Sequence, residues 1–160
     1  MGKIIVVYYS KTGNTETMAK EVAKGAREEG IETDIKKAEE TNAEELLKYD
    51  GIIVGSPTYF GMPAWEIKKL FDDSVKYYGK FIGKVGGGFT SSANIGGGNE
   101  TTILSILGMM LIHGMIVQGT TAAGHYGPVA IDSPDEGVLK ECGYLGKRVA
   151  SLVRKVKGEK

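Results

Sequence analysis

One cysteine, Cys142, is all the chain holds. It has no partner for an internal disulfide and cannot build a multi-cysteine metal site. Neither sign of charge is in excess, since Lys+Arg and Asp+Glu balance at 20 each. Bulk charge therefore gives no support for binding nucleic acid or an anionic membrane surface. No apolar run reaches membrane-spanning length; the longest greasy region, Ile103 to Val117, is broken by Ser105, Gly108, His113 and Gly114. Membrane insertion is not expected. Histidine is scarce, and no Ser/His/Asp pattern or His cluster points to hydrolysis or metal binding. Linker-like Pro/Ser runs, internal repeats and low-complexity segments are missing too. The chain enters an apolar segment straight after Met1-Gly2-Lys3, without a signal-peptide pattern, so a cytoplasmic setting is expected.

What is plentiful is glycine, 24 of 160 residues, much of it in tight clusters. Clustered glycine marks loops where backbone must come close to something. The length favours one domain over residues 1–160. Five strand candidates alternate with five helix candidates. The strands are Lys3 to Tyr9, Ile31 to Ile35, Gly51 to Gly55, Val85 to Thr90 and Met115 to Gln118. The helices start at about Asn14, Asn42, Pro63, Glu100 and Val138, and Thr120 to Asp135 reads as irregular. Regular alternation with short loops predicts an α/β fold, a doubly wound parallel sheet with helices on both faces. In such sheets ligands bind beyond the strand C-termini, where strand order reverses.

Three loops at strand C-termini are unusually rich in hydroxyl, amide, glycine or aromatic residues. The first, Ser10-Lys11-Thr12-Gly13-Asn14-Thr15, turns from a buried-type strand into a helix. Such a turn aims free backbone N–H groups and hydroxyls at one spot, at the positive end of the helix, and suits a phosphate. The alternative is a well-capped helix start. The turn is not a nucleotide-hydrolase P-loop, because Lys11 precedes Gly13, and the dinucleotide G-x-G-x-x-G spacing is missing. A mononucleotide with one phosphate fits better. The second loop presents Pro57, Thr58, Tyr59, Phe60 and Gly61. Its aromatics either stack on a flat ring or cover the edge of the core. The neighbouring Trp65 is assigned to the core. The third loop, with Ser91, Ser92, Ala93, Asn94 and Gly96, lines a ligand edge or simply feeds the next helix. His113, at the end of an apolar helix, is a helix-end cation, a core residue or a proton donor over a bound redox ring.

Assembled, these segments resemble the flavodoxin-like FMN proteins, and most closely the WrbA-type NAD(P)H:quinone oxidoreductases. The resemblance rests on Tyr8-Tyr9-Ser10 with Glu16-Thr17-Met18-Ala19, on Gly55-Ser56-Pro57-Thr58-Tyr59-Phe60-Gly61, and on Phe89-Thr90-Ser91-Ser92. It continues through Gly97-Gly98-Asn99-Glu100-Thr101-Thr102 and His113-Gly114-Met115, and spans Lys3 to Lys155. It implies a flavodoxin-like five-stranded sheet of order 2-1-3-4-5 with FMN held non-covalently at its C-terminal edge. Ser10, Lys11, Thr12, Gly13, Asn14 and Thr15 would surround the phosphate. Pro57, Thr58, Tyr59, Phe60 and Gly61 would flank the isoalloxazine, and Ser91, Ser92, Ala93, Asn94 and Gly96 its polar edge. His113 falls on the family's histidine near the flavin and would be catalytic. NADH or NADPH would reduce the flavin, and a quinone would take two electrons from it. The chain departs from the family in lacking much of the insertion after the second strand and part of the region after Gly119. Those segments help build the oligomer, so a homodimer or homotetramer, with a contact at Tyr77-Tyr78 and Phe81, is an open expectation. The second reading is a flavodoxin-type carrier that passes electrons between redox partner proteins. Balanced charge favours the enzyme; the lost insertions favour the carrier.

Overall fold

A computed structural model describes residues 2–159. Its elements are β1 (Lys3–Tyr8), α1 (Asn14–Glu28), β2 (Glu32–Lys37), α2 (Ala43–Leu46), β3 (Gly51–Tyr59), β4 (Met62–Pro63), α3 (Trp65–Asp73), β5 (Val85–Ser92), α4 (Asn99–Ile112), β6 (Ile116–Val117), β7 (Val129–Ile131) and α5 (Glu136–Lys157). Short 3₁₀ turns follow β2 and α3.

The sheet runs β2-β1-β3-β5-β6 with all neighbours parallel. That is the expected order 2-1-3-4-5, because β5 and β6 are the fourth and fifth of the anticipated strands. Two details differ from the sequence reading. The fifth position is shared: β6 pairs with the start of β5 and β7 with its end, at Thr90↔Val129 and Ser92↔Ile131. The stretch from Thr120 to Asp135 thus contains a strand, too short at three residues to show a period of two. Strands β3 and β5 also run further than expected. Pro57 to Tyr59 and Ser91 to Ser92 are strand, not loop, with Pro57 level with Ser91.

Strand β1 explains the two-sided core. Its residues alternate between faces, so Ile4, Val6 and Tyr8 join Met18, Val22, Phe89 and Leu145 beneath α1 and α5. Ile5 and Val7 join Ile52, Val54, Ile67, Phe81, Ile106 and Met110 on the other face, beneath α2, α3 and α4. A strand buried on both faces has no polar side to show, which is why it reads as an unbroken apolar run. Helices α1 and α5 cross very closely. A Cβ on Gly146 would stand 2.0 Å from the Val22 carbonyl oxygen, so only glycine fits there. Among the described residues no helix is long and apolar enough to cross a membrane.

Trp65 is a correction. It is 66 % exposed rather than in the core. At 100° per residue it lies about 200° from Ile67 and about 140° from Leu70, the buried residues of α3. Phe81 is another: it is buried at 2 %, so it cannot serve a dimer contact, while its neighbour Tyr78 is exposed.

Candidate cofactor site

Three segments meet at the C-terminal edge of β1, β3 and β5. They enclose an open cleft of about 370 Å³. The first turn supplies Ser10, Lys11, Thr12, Asn14 and Thr15, the end of β3 supplies Pro57, Thr58 and Tyr59, and the end of β5 supplies Ser91, Ser92 and Ala93. The sequence reading named all of these. The structure adds Asp132, just past β7, which it had not named.

The turn is held from within. Gly13 N–H donates to Ser10 Oγ at 3.1 Å, and Gly13 adopts φ 101°, which bends the chain into α1. The Gly13 carbonyl accepts from the Thr17 backbone N–H and from Thr17 Oγ1, each at 3.0 Å. No side chain caps the start of α1. A 15-residue helix therefore presents its first-turn N–H groups and the positive end of its dipole to the cleft. A plain helix cap would place a Ser, Thr or Asn oxygen on those groups. The structure puts none there, and an anion fits the gap.

Thr15 has a different task. It is buried, and its Oγ1 pairs with Ser91 Oγ at 2.9 Å. The pair ties the phosphate-type turn to the end of β5. Thr58 Oγ1 likewise pairs with Thr90 Oγ1 at 3.0 Å, and Thr90 Oγ1 donates to the Ser56 carbonyl at 2.6 Å. Ser92 donates to the Asn94 carbonyl at 3.0 Å and accepts from Asn99 Nδ2 at 3.1 Å. These bonds fix the cleft floor before any ligand arrives. Asp132 is joined to it by its N–H, which donates to the Ser92 carbonyl at 2.7 Å. Its φ of 59° is tolerated by Asp better than by most residues. Asp132 lines the cleft, and no sequence period marks so short a strand end.

Five expected residues stand outside the cleft lining. Phe60 and Gly61 form the two-residue tip of the hairpin joining β3 to β4, with φ 51° and 76°. Phe60 is fully exposed there and does not flank the cleft. Gly61 instead packs on the third loop: a Cβ on Gly98 would come within 2.5 Å of Gly61 Cα, and Thr101 Oγ1 donates to the Gly61 carbonyl at 2.8 Å. Asn94 and Gly96 sit further out on that loop and line nothing here. Gly13 shapes the turn without lining it.

His113 lies at the far end of the molecule. Helix α4 runs back along β5, and Ile116 after it pairs with Val85, the first residue of β5. Six residues at 3.3 Å separate that point from Ser91, about 20 Å. His113 is 8 % exposed and packs on Phe81 with ring centroids 4.7 Å apart. Its Nε2 is 2.7 Å from Ser74 Oγ, whose hydroxyl already donates to the Phe71 carbonyl at 2.6 Å. The histidine must therefore donate, leaving Nδ1 as a buried acceptor without a partner. Burial holds its pKa below the ordinary histidine value. Within this chain it is a neutral core residue, and the expectation of a catalytic histidine beside the cleft is not met.

The family model described as flavodoxin matches residues 6–101. The chain belongs to the flavodoxin family. A relative named flavodoxin, from Aquifex aeolicus, is 42 % identical over 162 residues, covering 96 % of this chain and 88 % of its own length. One from Archaeoglobus fulgidus, named NAD(P)H dehydrogenase (quinone), is 36 % identical over 190 residues, covering 98 % of this chain and all of its own. Among solved structures, a WrbA-like flavodoxin from Agrobacterium tumefaciens is 31 % identical with a TM-score of 0.82, covering 97 % of this chain and 99 % of that one. The flavodoxin family implies FMN as resident cofactor. The uncapped α1 start and the hydroxyl-lined cleft beside Tyr59 fit such a group.

Proposed function

We propose that the chain is one FMN-binding unit that works as an NAD(P)H:quinone oxidoreductase. The observation that carries this is the cleft itself. An anion-ready helix start, an aromatic ring at Tyr59 and a polar edge at Ser91 to Ala93 meet on one sheet edge of a flavodoxin-family fold. Ser10, Thr12 and Asn14 with the first N–H groups of α1 would hold the phosphate. Tyr59 and Pro57 would bound one side of the ring system, and Thr58, Ser91, Ser92 and Ala93 its edge. Lys11 and Asp132 bring one charge of each sign to the cleft mouth. Bound FMN would supply hydride acceptance and two-electron donation, and the protein's task is to place and tune the ring. The names of several relatives support the quinone as acceptor.

The carrier reading keeps one specific observation in its favour. The relatives named NAD(P)H dehydrogenase (quinone) align over 190 to 200 positions, against 160 residues here, whereas the 42 % identical relative carries the name flavodoxin. Zero net charge weighs the other way, because carriers that dock on charged partners rely on steering. Anaerobic mixing of the FMN-loaded protein with NADH or NADPH decides the matter. Loss of the oxidised-flavin absorbance supports the enzyme; absorbance unchanged with both nicotinamides leaves the carrier.

A further inference from the structure

A second recess, of about 260 Å³, lies between α5 and the loop that precedes β7. It shares no residue with the cofactor cleft. Lys140, Tyr144 and Arg148 come to it from α5. Their four-residue spacing sets them on one face of the helix, a turn apart. Thr120, Ala122, Ala123 and Pro128 form the opposite wall. That wall is braced from within. Thr120 N–H donates to the His125 carbonyl at 3.1 Å, His125 Nδ1 donates to the Thr120 carbonyl at 2.9 Å, and Gly127 N–H donates to the Gly124 carbonyl at 2.9 Å. Gly127 also seats the loop on the sheet, since a Cβ there would stand 2.0 Å from the Gly88 carbonyl oxygen.

Arg148 is the unusual member. Its Nε is buried without a hydrogen-bond partner, and no ion pair reaches its guanidinium among the described residues. The chain's other two arginines are satisfied: Arg27 donates to the Thr33 carbonyl at 2.6 Å and Arg154 to the Glu29 carbonyl at 3.2 Å. Burial lowers the pKa of Arg148 from the ordinary arginine value. A guanidinium keeps its charge even so, and the protein holds a partly buried cation with nothing to offset it. Such a group costs desolvation free energy and calls for an explanation. Glu141, the one carboxylate in the lining, does not pair with it. It lies seven residues away, about 10 Å along the helix. Its Oε2 sits instead by Gly124, where a Cβ would come within 2.9 Å.

We propose that this recess is a second ligand site, for a small organic carboxylate with an apolar body, and that Arg148 takes the carboxylate. A planar guanidinium offers paired N–H groups that match the two carboxylate oxygens. Thr120 Oγ1 accepts from the Ala122 N–H at 3.2 Å, which leaves its own proton to donate to the ligand. Ala122, Ala123, Pro128 and the ring of Tyr144 offer hydrocarbon to the ligand body. Lys140, with Nζ 5.9 Å from the Tyr144 ring centroid, adds a second positive charge to the walls. The volume falls just short of the roughly 300 Å³ at which ordinary ligand pockets begin, which limits the occupant to a small molecule. Walls this apolar would leave most oxygens of a bare phosphate unpaired, which disfavours it.

The test titrates the full chain, with FMN added to fill the cleft, with benzoate, benzamide and inorganic phosphate, and follows backbone amide NMR shifts. Benzoate should saturate and move the signals of Thr120 to Gly124 and of Lys140 to Arg148. Benzamide, which has the same shape without the charge, should bind at least about tenfold more weakly, and so should phosphate. Arg148→Met keeps the aliphatic stem and should weaken benzoate at least about tenfold, the share of one charge-assisted hydrogen bond. A second readout separates a ligand-binding arginine from a structural one. Without benzoate, Arg148→Met should unfold at the same urea concentration as wild type or a higher one, because an unpaired, partly buried charge is gone. Benzoate shifts that are absent, or that map to the cleft alone, overturn the site. Benzamide or phosphate binding as tightly as benzoate overturns the carboxylate assignment. A lower urea midpoint for Arg148→Met overturns its role as a cation held for a ligand. The shift map locates benzoate whether or not FMN binds, so none of these outcomes depends on the flavin reading.

Discussion

Replacing His113 with glutamine should remove a pH dependence of stability while leaving FMN affinity unchanged. Glutamine is neutral at every pH and can still donate to Ser74 Oγ. At pH 8 the variant should be less stable by about 1–3 kcal/mol, because the packing on Phe81 at 4.7 Å is lost. Acid changes the comparison. Burial lowers the native pKa of His113, while the unfolded chain keeps the ordinary value of about 6.5. A proton therefore binds the unfolded chain first. The neutral ring's contribution is complete above about pH 6.5 and is lost as pH falls from there toward the native pKa. While the native ring stays neutral, the slope approaches about 1.4 kcal/mol per pH unit, which sums to at most about 2 kcal/mol by pH 5. The gap between wild type and His113→Gln should thus narrow by up to that amount between pH 8 and pH 5. Urea unfolding of both proteins across that range measures it. Carboxylates that stabilise by pairing, such as Glu16 with Lys20 and Glu28 with Lys147, lose their contribution only below about pH 4.5 and cancel in the difference. A gap independent of pH would refute the buried neutral histidine. A large loss of FMN affinity would return His113 to the cofactor site.

Three more outcomes follow from the same geometry. Gly146→Ala forces its Cβ onto the Val22 carbonyl oxygen, so α1 and α5 must part; a loss of about 1–3 kcal/mol, or several degrees in thermal melting, is expected. Phe60→Asn should stabilise by about 0.5–1 kcal/mol, because the tip pair Phe60-Gly61 has positive φ at both positions, the type I′ geometry that favours Asn-Gly; denaturant midpoints measure it. Cys142 is fully buried and its thiol is pushed up to about 12, chiefly by burial, so a thiol reagent at pH 8 should label it only after urea unfolding.

Much of the fold was legible because the sheet is buried on both faces. Ile4 to Tyr8 and Gly51 to Val54 have no polar side to hide, so they read as strands without any partner in view. Short elements fared worse. Val129 to Ile131 is a strand only because β5 offers a free edge beside Thr90 to Ser92, which no local pattern reports. Pro57 reads as a loop residue, yet it extends β3 level with Ser91 in β5. Trp65 reads as a core residue because it is large and apolar, although the helical angle sends it to the side opposite Ile67 and Leu70. At the site, the hydroxyl and amide residues of the first turn were legible because capping chemistry and anion chemistry use the same groups. Their lack of a cap was not, since that depends on where each oxygen points. His113 was misplaced for a topological reason. The 14 residues of α4, at 1.5 Å each, carry it about 21 Å back along β5. Asp132 escaped notice because its role depends on a left-handed backbone turn after an unrecognised strand.

The most direct measurement compares FMN with riboflavin binding to the cofactor-free protein by flavin fluorescence. Both share the ring that Tyr59 would flank; only FMN carries the phosphate meant for Ser10 to Thr15 and the α1 start. Two charge-assisted hydrogen bonds at about 1.5 kcal/mol each amount to about 3 kcal/mol, so FMN should bind at one per chain and at least roughly 100-fold more tightly. Equal affinity for the two flavins, or no uptake of FMN, would contradict the account.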